Sequence, residues 1–209
     1  MPFLRAAVCV LAAFSASFAQ PSLAQENWPT KPLRLIIPFP AGGSSDQLGR
    51  LMAKELGQKL GQPVQVENTD AKGTKAAAGA APDGYTLVLS GVGTNAISHA
   101  LNPNLDYDSL KDFVHISQLS EGPNVLVVRP DSPYKTVKDI LDAVKAGKNL
   151  SYASQGNGTS AHLAGELFNN LAKTQLLHIP YRGAGPAMTD LRGGQVDLFF
   201  GTAAAVAGF

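Results

Sequence analysis

Cysteine is nearly absent from this chain of 209 residues, with Cys9 standing alone. That excludes a disulfide framework and any four-cysteine metal site. Net charge is nearly absent as well. Lys and Arg number 17 against 16 Asp and Glu, which leaves no electrostatic footprint for nucleic acid. Charged residues make up only 16% of the chain and hydrophobic ones 44%, the balance of a folding chain rather than a disordered one. Its length allows one sizeable domain or two small ones. Beyond the N-terminal segment there is no apolar run approaching about 20 residues, the length a membrane helix needs.

Catalytic and cofactor motifs are missing too. No Lys follows the glycines as a phosphate-binding loop requires, and no G-x-S-x-G elbow occurs. Gly156-Asn157-Gly158 opens like a dinucleotide fingerprint, but Ala161 takes the third glycine's place. Leu176-Leu177-His178-Ile179, the next strand, ends without the acidic residue that would hold a ribose. His99, His115, His162 and His178 are scattered with no metal-ligand spacing.

Arg5 is the only charge among the first 25 residues. Ala6 to Phe18 forms an apolar run of about 13 residues, and Ser22-Leu23-Ala24 gives a small-x-small cleavage pattern. Residues 1–24 therefore read as a signal peptide cleaved before Gln25. Cleavage removes Arg5 and Cys9, leaving a formally neutral, cysteine-free chain suited to an oxidising compartment. Trp28 marks the start of the mature fold.

The mature chain alternates strand and helix. Leu33 to Ile37 is a strand stopped by Pro38, and the loop Phe39 to Asp46 leads into a helix. That helix carries Leu48, Leu51, Met52, Leu56 and Leu60 on one face. Ser44 and Gln47 have capping-box spacing, and Gly61 with Pro63 ends the helix. Pro63 to Glu67 and Tyr85 to Leu89 read as strands around a short helix, Thr74 to Ala81, giving a parallel β-α-β-α-β unit. Val114 to Leu119 reads as a further strand, broken by Glu121-Gly122-Pro123. The second half then repeats the plan. Asn124 to Arg129 is a strand, and Thr136 caps a helix with Val137, Ile140, Leu141 and Val144. Leu150 to Ala153 is a strand running into the loop Ser154 to Ser160. A helix follows with Leu163, Leu167, Phe168 and Leu171 facing inward, then a strand at Leu176 to Ile179. Pro186 sits in the first turn of a helix closed by Gly193-Gly194, and Val196 to Phe200 is the last strand. The expected architecture is α/β in two lobes, residues 25–122 and 123–209.

Two Gly-rich loops, Ala41 to Asp46 and Ser154 to Ser160, each leave a strand and enter a helix. Ligands of open α/β sheets bind outside the carboxyl ends of the strands. The unsatisfied amides of a helix start favour an anion there. Ser44, Ser154, Thr159 and Ser160 add hydroxyls, so a facing pair of such loops suits a small carboxylate. Turn-making and capping alone would also explain these residue types. Asp46 reads equally as an acid near the site or as dipole complementation in a first helical turn. His162 reads either as a site group or as a hydrogen-bonding group at a helix start.

The segment from Trp28-Pro29-Thr30-Lys31-Pro32 through Leu33-Arg34-Leu35-Ile36-Ile37 to Pro38-Phe39-Pro40-Ala41-Gly42-Gly43-Ser44-Ser45-Asp46 resembles the opening of the Bug family. These are the extracytoplasmic solute receptors of tripartite tricarboxylate transporters. The resemblance continues through Pro82-Asp83-Gly84-Tyr85-Thr86-Leu87, Asn102-Pro103 and Lys111-Asp112-Phe113. It extends over Tyr152-Ala153-Ser154 to His162-Leu163-Ala164-Gly165-Glu166-Leu167-Phe168, His178-Ile179-Pro180-Tyr181-Arg182-Gly183 and Gly193-Gly194-Gln195-Val196-Asp197.

The resemblance implies a two-lobed periplasmic-binding-protein fold of type II, non-enzymatic and without cofactor or metal. It closes on a small organic acid held by backbone amides and bridging waters. It points to Phe39, Ala41, Gly42, Gly43, Ser44 and Asp46 in the first lobe. In the second it points to Ser154, Gly156, Gly158, Thr159 and His162, with Tyr181 and Gly183 adding contacts. Gly91 to Asn95 is a further wall. The implied protein is a periplasmic monomer that delivers its ligand to two membrane subunits and has no nucleic-acid partner.

Two departures stand out. Where the family carries a glycine-rich stretch after the second strand, Thr69-Asp70-Ala71-Lys72 runs straight into Gly73-Thr74, a shortened segment. Family chains also run on past Asp197 to complete the second lobe and return to the first, so on that pattern the chain is C-terminally truncated and its second lobe incomplete. Such a loss would expose sheet edge and apolar surface. Three other readings stay open: a degenerate remnant without binding, a ligand-responsive sensor, and a hydrolase using Asp46 or His162.

Overall fold

The computed structural model describes residues 27–70 and 72–207; the signal-peptide reading of residues 1–24 lies outside them. Lys31 to Phe209 group as one compact unit containing two sheets. The first consists of β1 (Leu33–Ile37), β2 (Val64–Asn68) and β3 (Thr86–Val88), all parallel in the order β2-β1-β3. Helix α1 (Ser44–Leu60) follows β1 and α2 (Lys72–Ala78) follows β2.

β1 is the central strand, and Leu33, Ile36 and Ile37 are fully buried. A strand covered on both faces must be apolar on both, and side-chain alternation divides its residues between two helices. Leu35 and Ile37 meet α1 at Gly49, where a methyl group would lie 2.3 Å from Ile37 Cδ1. Ile36 points the other way, to Gly73 at the start of α2.

The second sheet has the order β4-β7-β5-β6, formed by β4 (Asn124–Val127), β5 (Ser151–Ser154), β6 (Leu177–Pro180) and β7 (Leu198–Thr202). β4 runs antiparallel to β7, while β5 is parallel to β6 and β7. Its helices are α4 (Val137–Lys145), α5 (Ser160–Ala172), α6 (Ala184–Arg192) and α7 (Ala203–Val206); α3 (Ser98–Leu101) belongs to the connection from the first sheet. Ala153 and Phe199 face α6 and α7, packing on Ala187, Met188, Leu191 and Ala205. Tyr152, Leu198 and Phe200 face the opposite side, against Ile140, Ala161 and Leu176. Each fully buried aromatic or leucine contributes about 1.5–3 kcal/mol relative to exposure.

The structure corrects several expectations. Ser44 is the first helical residue of α1 rather than its cap. Gly43 takes the cap position and no side chain caps it, so the Ser44–Gln47 capping box does not form. Gly61 ends α1 as expected, in the left-handed conformation at φ 70°, which glycine adopts without a Cβ penalty. The inward face of α1 is Asp46, Gly49 and Ala53, while Leu51 is exposed. On α5 the buried residues are Ala161 and Gly165, and Leu163, Leu167 and Leu171 lie exposed. Both helices approach their sheets through small residues, which leaves no room for a leucine ridge between them.

Val114 to Leu119 is not a strand: no strand among the described residues pairs with it, and Val114 and Ile116 are 90% and 80% exposed. A β-prone run stays irregular where no neighbour supplies its ladder. A turn of π-helix at Gly93–Ile97 leads into α3. It is anchored by Tyr107, whose hydroxyl donates to the Thr94 carbonyl at 2.6 Å.

Candidate functional site

Both Gly-rich loops stand at the carboxyl ends of parallel strands, the first between β1 and α1 and the second between β5 and α5. Asp46 organises the first loop. Asp46 as a residue is 4% exposed, and its carboxylate accepts from the Gly42 amide at 2.8 Å, from Asn68 Nδ2 at 2.9 Å and from Arg50 Nε at 3.0 Å. Burial opposes its ionisation. The hydrogen bonds from Arg50, Gly42 and Asn68 outweigh that and hold the carboxyl below the usual aspartate range. Asn68 also donates to the Phe39 carbonyl at 3.2 Å. Phe39 packs partly buried on the first core, and Ala41 and Gly42 are exposed above it. The amide of Ser44 has no hydrogen-bond partner among the described residues.

The second loop is tied together from within. Ser154 is fully buried, and its Oγ accepts from the Gly156 amide at 3.1 Å and lies 2.7 Å from His178 Nε2. Thr159 caps α5 by accepting from the His162 amide and donates to the Gly156 carbonyl at 2.7 Å. His162 Nδ1 accepts from the Gly158 amide at 3.2 Å. The Ser160 and Ala161 amides, in the first turn of α5, have no partner among the described residues.

Tyr181 and Gly183 lie against the second loop. Their amides donate to the carbonyls of Ser154 and Gln155, each at 3.2 Å. A Cβ on Gly183 would sit 3.9 Å from Pro40 Cγ in the first loop. The Tyr181 hydroxyl donates to Asp190 at 2.6 Å, and burial together with that bond pushes it up to about 12. The Gly91–Asn95 wall also reaches the second sheet's loop: a Cβ on Gly93 would meet the Gly158 carbonyl oxygen at 3.1 Å. The structure thus brings Pro40 of the first loop beside Gly183, and Gly158 and Thr159 of the second beside Gly93.

Asp46 and His162 are both engaged in holding their own loops, an arrangement that supports positioning rather than proton transfer. Among the described residues no three His, Cys, Asp or Glu side chains gather as a metal site. A broad groove of about 590 Å³ runs along α1 and β2 past Lys54 and Val66. It shares only Arg50 with the loop network and lies on the edge-strand side of the first sheet.

Two participants escaped sequence reading. Asn68 is 22 residues from Asp46, and its only signal is its place at the end of β2 beside the end of β1. His178 is 24 residues from Ser154, and the register Tyr152↔His178 brings it to the loop.

The family model described as "Tripartite tricarboxylate transporter family receptor" matches residues 48–209. Protein BugT of Bordetella pertussis is 37% identical over 188 residues, covering 87% of this chain and 57% of that protein. The structure of MatC from Rhodopseudomonas palustris with bound malate is 36% identical with a TM-score of 0.75, covering 84% of this chain and 61% of that one. A second R. palustris structure, with adipate, is 28% identical with a TM-score of 0.80, covering 87% and 62%. The chain spans only 52% of the first curated relative's length, a protein from Agrobacterium vitis. No helix among the described residues is long and apolar enough to cross a membrane.

Proposed function

The chain belongs to the tripartite tricarboxylate transporter receptor family, and from that premise we propose that it captures a small organic acid, as the carboxylate, between the loops of its two sheets. The observation that carries this reading is the pair of strand-to-helix turns, β1–α1 and β5–α5, each presenting unpartnered first-turn amides. Helix starts attract anions through those amides and the helix dipole. Malate in MatC and adipate in the second R. palustris structure support a small organic acid as the ligand class.

Ser44 offers a donor from the first lobe, residues 25–122, and Ser160 and Ala161 offer donors from the second, residues 123–209. Phe39, Ala41 and Gly42 shape the first wall. Gly156, Gly158 and Thr159 shape the second, and Tyr181 and Gly183 close the seam. Asp46, Ser154 and His162 hold the loops in position. Recognition by backbone donors needs no excess of positive charge, in keeping with a chain whose formal net charge is +1. The Ala6–Phe18 run with cleavage before Gln25 fits export to the periplasm. There the protein acts as a monomeric receptor for the membrane subunits of a tripartite transporter rather than as an enzyme.

Ser44→Pro tests the reading directly. Proline is favoured at a first helical position and removes that amide's hydrogen along with the Ser44 hydroxyl; Gly43, at ψ 171°, has the extended backbone that a residue before proline requires. Calorimetric titration with malate and adipate should show binding to the chain and at least tenfold weaker binding to Ser44→Pro, with α1 intact by circular dichroism. Equal affinity in both proteins would remove the first loop from the site.

A further inference from the structure

We propose that Arg182 is a specificity-determining residue of the carboxylate site, pairing with the second carboxylate of a dicarboxylic acid; this rests on the binding role assigned above to the two loops. Arg182 lies in the turn between β6 and α6, just past the carboxyl end of its strand. Its two neighbours are fixed through their main chains. The Tyr181 amide donates to the Ser154 carbonyl and the Gly183 amide to the Gln155 carbonyl, each at 3.2 Å. The Tyr181 carbonyl oxygen also lies 3.2 Å from where a Cβ on Gly156 would sit. On the other side, a Cβ on Gly183 would lie 3.9 Å from Pro40 Cγ. Arg182 is thus held within one residue of contacts to both loops.

Its charge is uncommitted. Arg34, Arg50 and Arg129 each pair with a carboxylate, at 2.6, 3.0 and 3.2 Å, and Arg192 is engaged as well. Arg182 is exposed, and it is the one arginine among the described residues with neither a hydrogen bond nor an ion pair. The acids near the loops are already occupied. Asp46 accepts from Arg50, Gly42 and Asn68. Glu166 accepts from the Tyr152 hydroxyl and Asp190 from the Tyr181 hydroxyl, each at 2.6 Å. None of these carboxylates neutralises Arg182.

The chemistry of the ligand gives this cation a task. The Ser44, Ser160 and Ala161 amides act on a carboxylate as dipoles and carry no formal charge. A dicarboxylic acid brings a second negative group, which needs a donor of its own. A guanidinium stays charged throughout the working pH range and presents paired N–H groups that match the two oxygens of a carboxylate. A monoacid ending in a methyl group offers Arg182 no partner. Discrimination between the two acids is the difference in their affinities, and Arg182 contributes to one of them alone.

Calorimetric titration with two matched pairs reads this directly: adipate against hexanoate, and malate against 2-hydroxybutyrate. In each pair the second acid carries a methyl group in place of one carboxylate. The unmodified chain should favour the diacid of at least one pair by about tenfold or more, the scale of a charge-assisted bidentate bond. In Arg182→Gln that preference should shrink by about fivefold or more, through lost diacid affinity, with the monoacid unchanged within about twofold. Added salt should weaken diacid binding to the unmodified chain more than to Arg182→Gln. Because the Arg182 side chain makes no hydrogen bond or ion pair, the variant should keep the urea midpoint of the unmodified chain. An unmodified chain that does not favour either diacid, a preference that survives Arg182→Gln, an equal loss for diacid and monoacid, or equal salt dependence in the two proteins would each overturn the proposal and leave the loops as the site. A chain that binds none of the four acids would remove the loop reading and this inference together, so the two failures are told apart.

Discussion

Asn68 donates its side-chain amide to the buried carboxylate of Asp46 at 2.9 Å, tying the end of β2 to the first turn of α1. The same amide reaches the Phe39 carbonyl, so one side chain sets both ends of the first loop. The acid that sequence reading allows as a reactive group is thereby occupied as a brace.

Asp46→Asn should lower stability by about 1–3 kcal/mol, since one carbonyl oxygen cannot serve three donors in a buried position. The pH dependence has a definite sign. The Asp46 carboxyl lies below its ordinary 3.8 in the folded chain. Its contribution is therefore complete above that ordinary value and lost as pH falls through the lower, folded one. Urea unfolding at pH 7 and at pH 3 should show a gap between the chain and Asp46→Asn that narrows in acid. A gap that stays constant would place the stabilisation elsewhere.

Gly165→Ala tests how α5 seats on the second sheet. A Cβ at this position would fall 2.2 Å from the Tyr152 ring, which is itself pinned by His178 and Phe200. Overpacking of this kind costs about 1–3 kcal/mol, readable in the urea midpoint. A midpoint equal to or above that of the unmodified chain would contradict the close packing.

Gly93→Ala separates closure from folding. The added methyl would press on the Gly158 carbonyl oxygen at 3.1 Å, across the seam between the two sheets' loops. Malate affinity should fall several-fold while the unfolding midpoint moves little, within about 0.5 kcal/mol. Unaltered affinity would mean that this contact is irrelevant to the bound state.

Thr136→Ala serves as a control remote from the loops. Thr136 and Asp139 form a complete capping box at the start of α4, so its loss should cost about 1 kcal/mol. Calorimetry should show unchanged malate affinity.

These effects also show how much the sequence discloses. Strand β1 and both loop–helix turns are legible because Pro38, Gly61 and the apolar run at Leu33 to Ile37 are local signals. Helix faces are less so. Leu163, Leu167 and Leu171 follow a helical period yet stay exposed, because α5 meets its sheet through Ala161 and Gly165. Hydrophobicity ranks side chains by transfer energy and says nothing of how closely two backbones approach. Val114 to Leu119 fails for a related reason: strand propensity counts only beside a partner, and none among the described residues pairs with it. The braces Asn68 and His178 depend on sheet register, which no local pattern encodes.

The central claim, capture of a small carboxylate by paired helix starts, is tested most directly by a thermal melt of the purified chain with malate, adipate and the uncharged diamide of malate. A ligand bound only by the folded state adds about 2.7 kcal/mol at a hundredfold excess over Kd, or about 5–10 °C in a chain of this size. The account predicts such a rise with at least one of the acids and none with the diamide. A cooperative melt whose midpoint ignores both acids, or rises equally with the diamide, would contradict it.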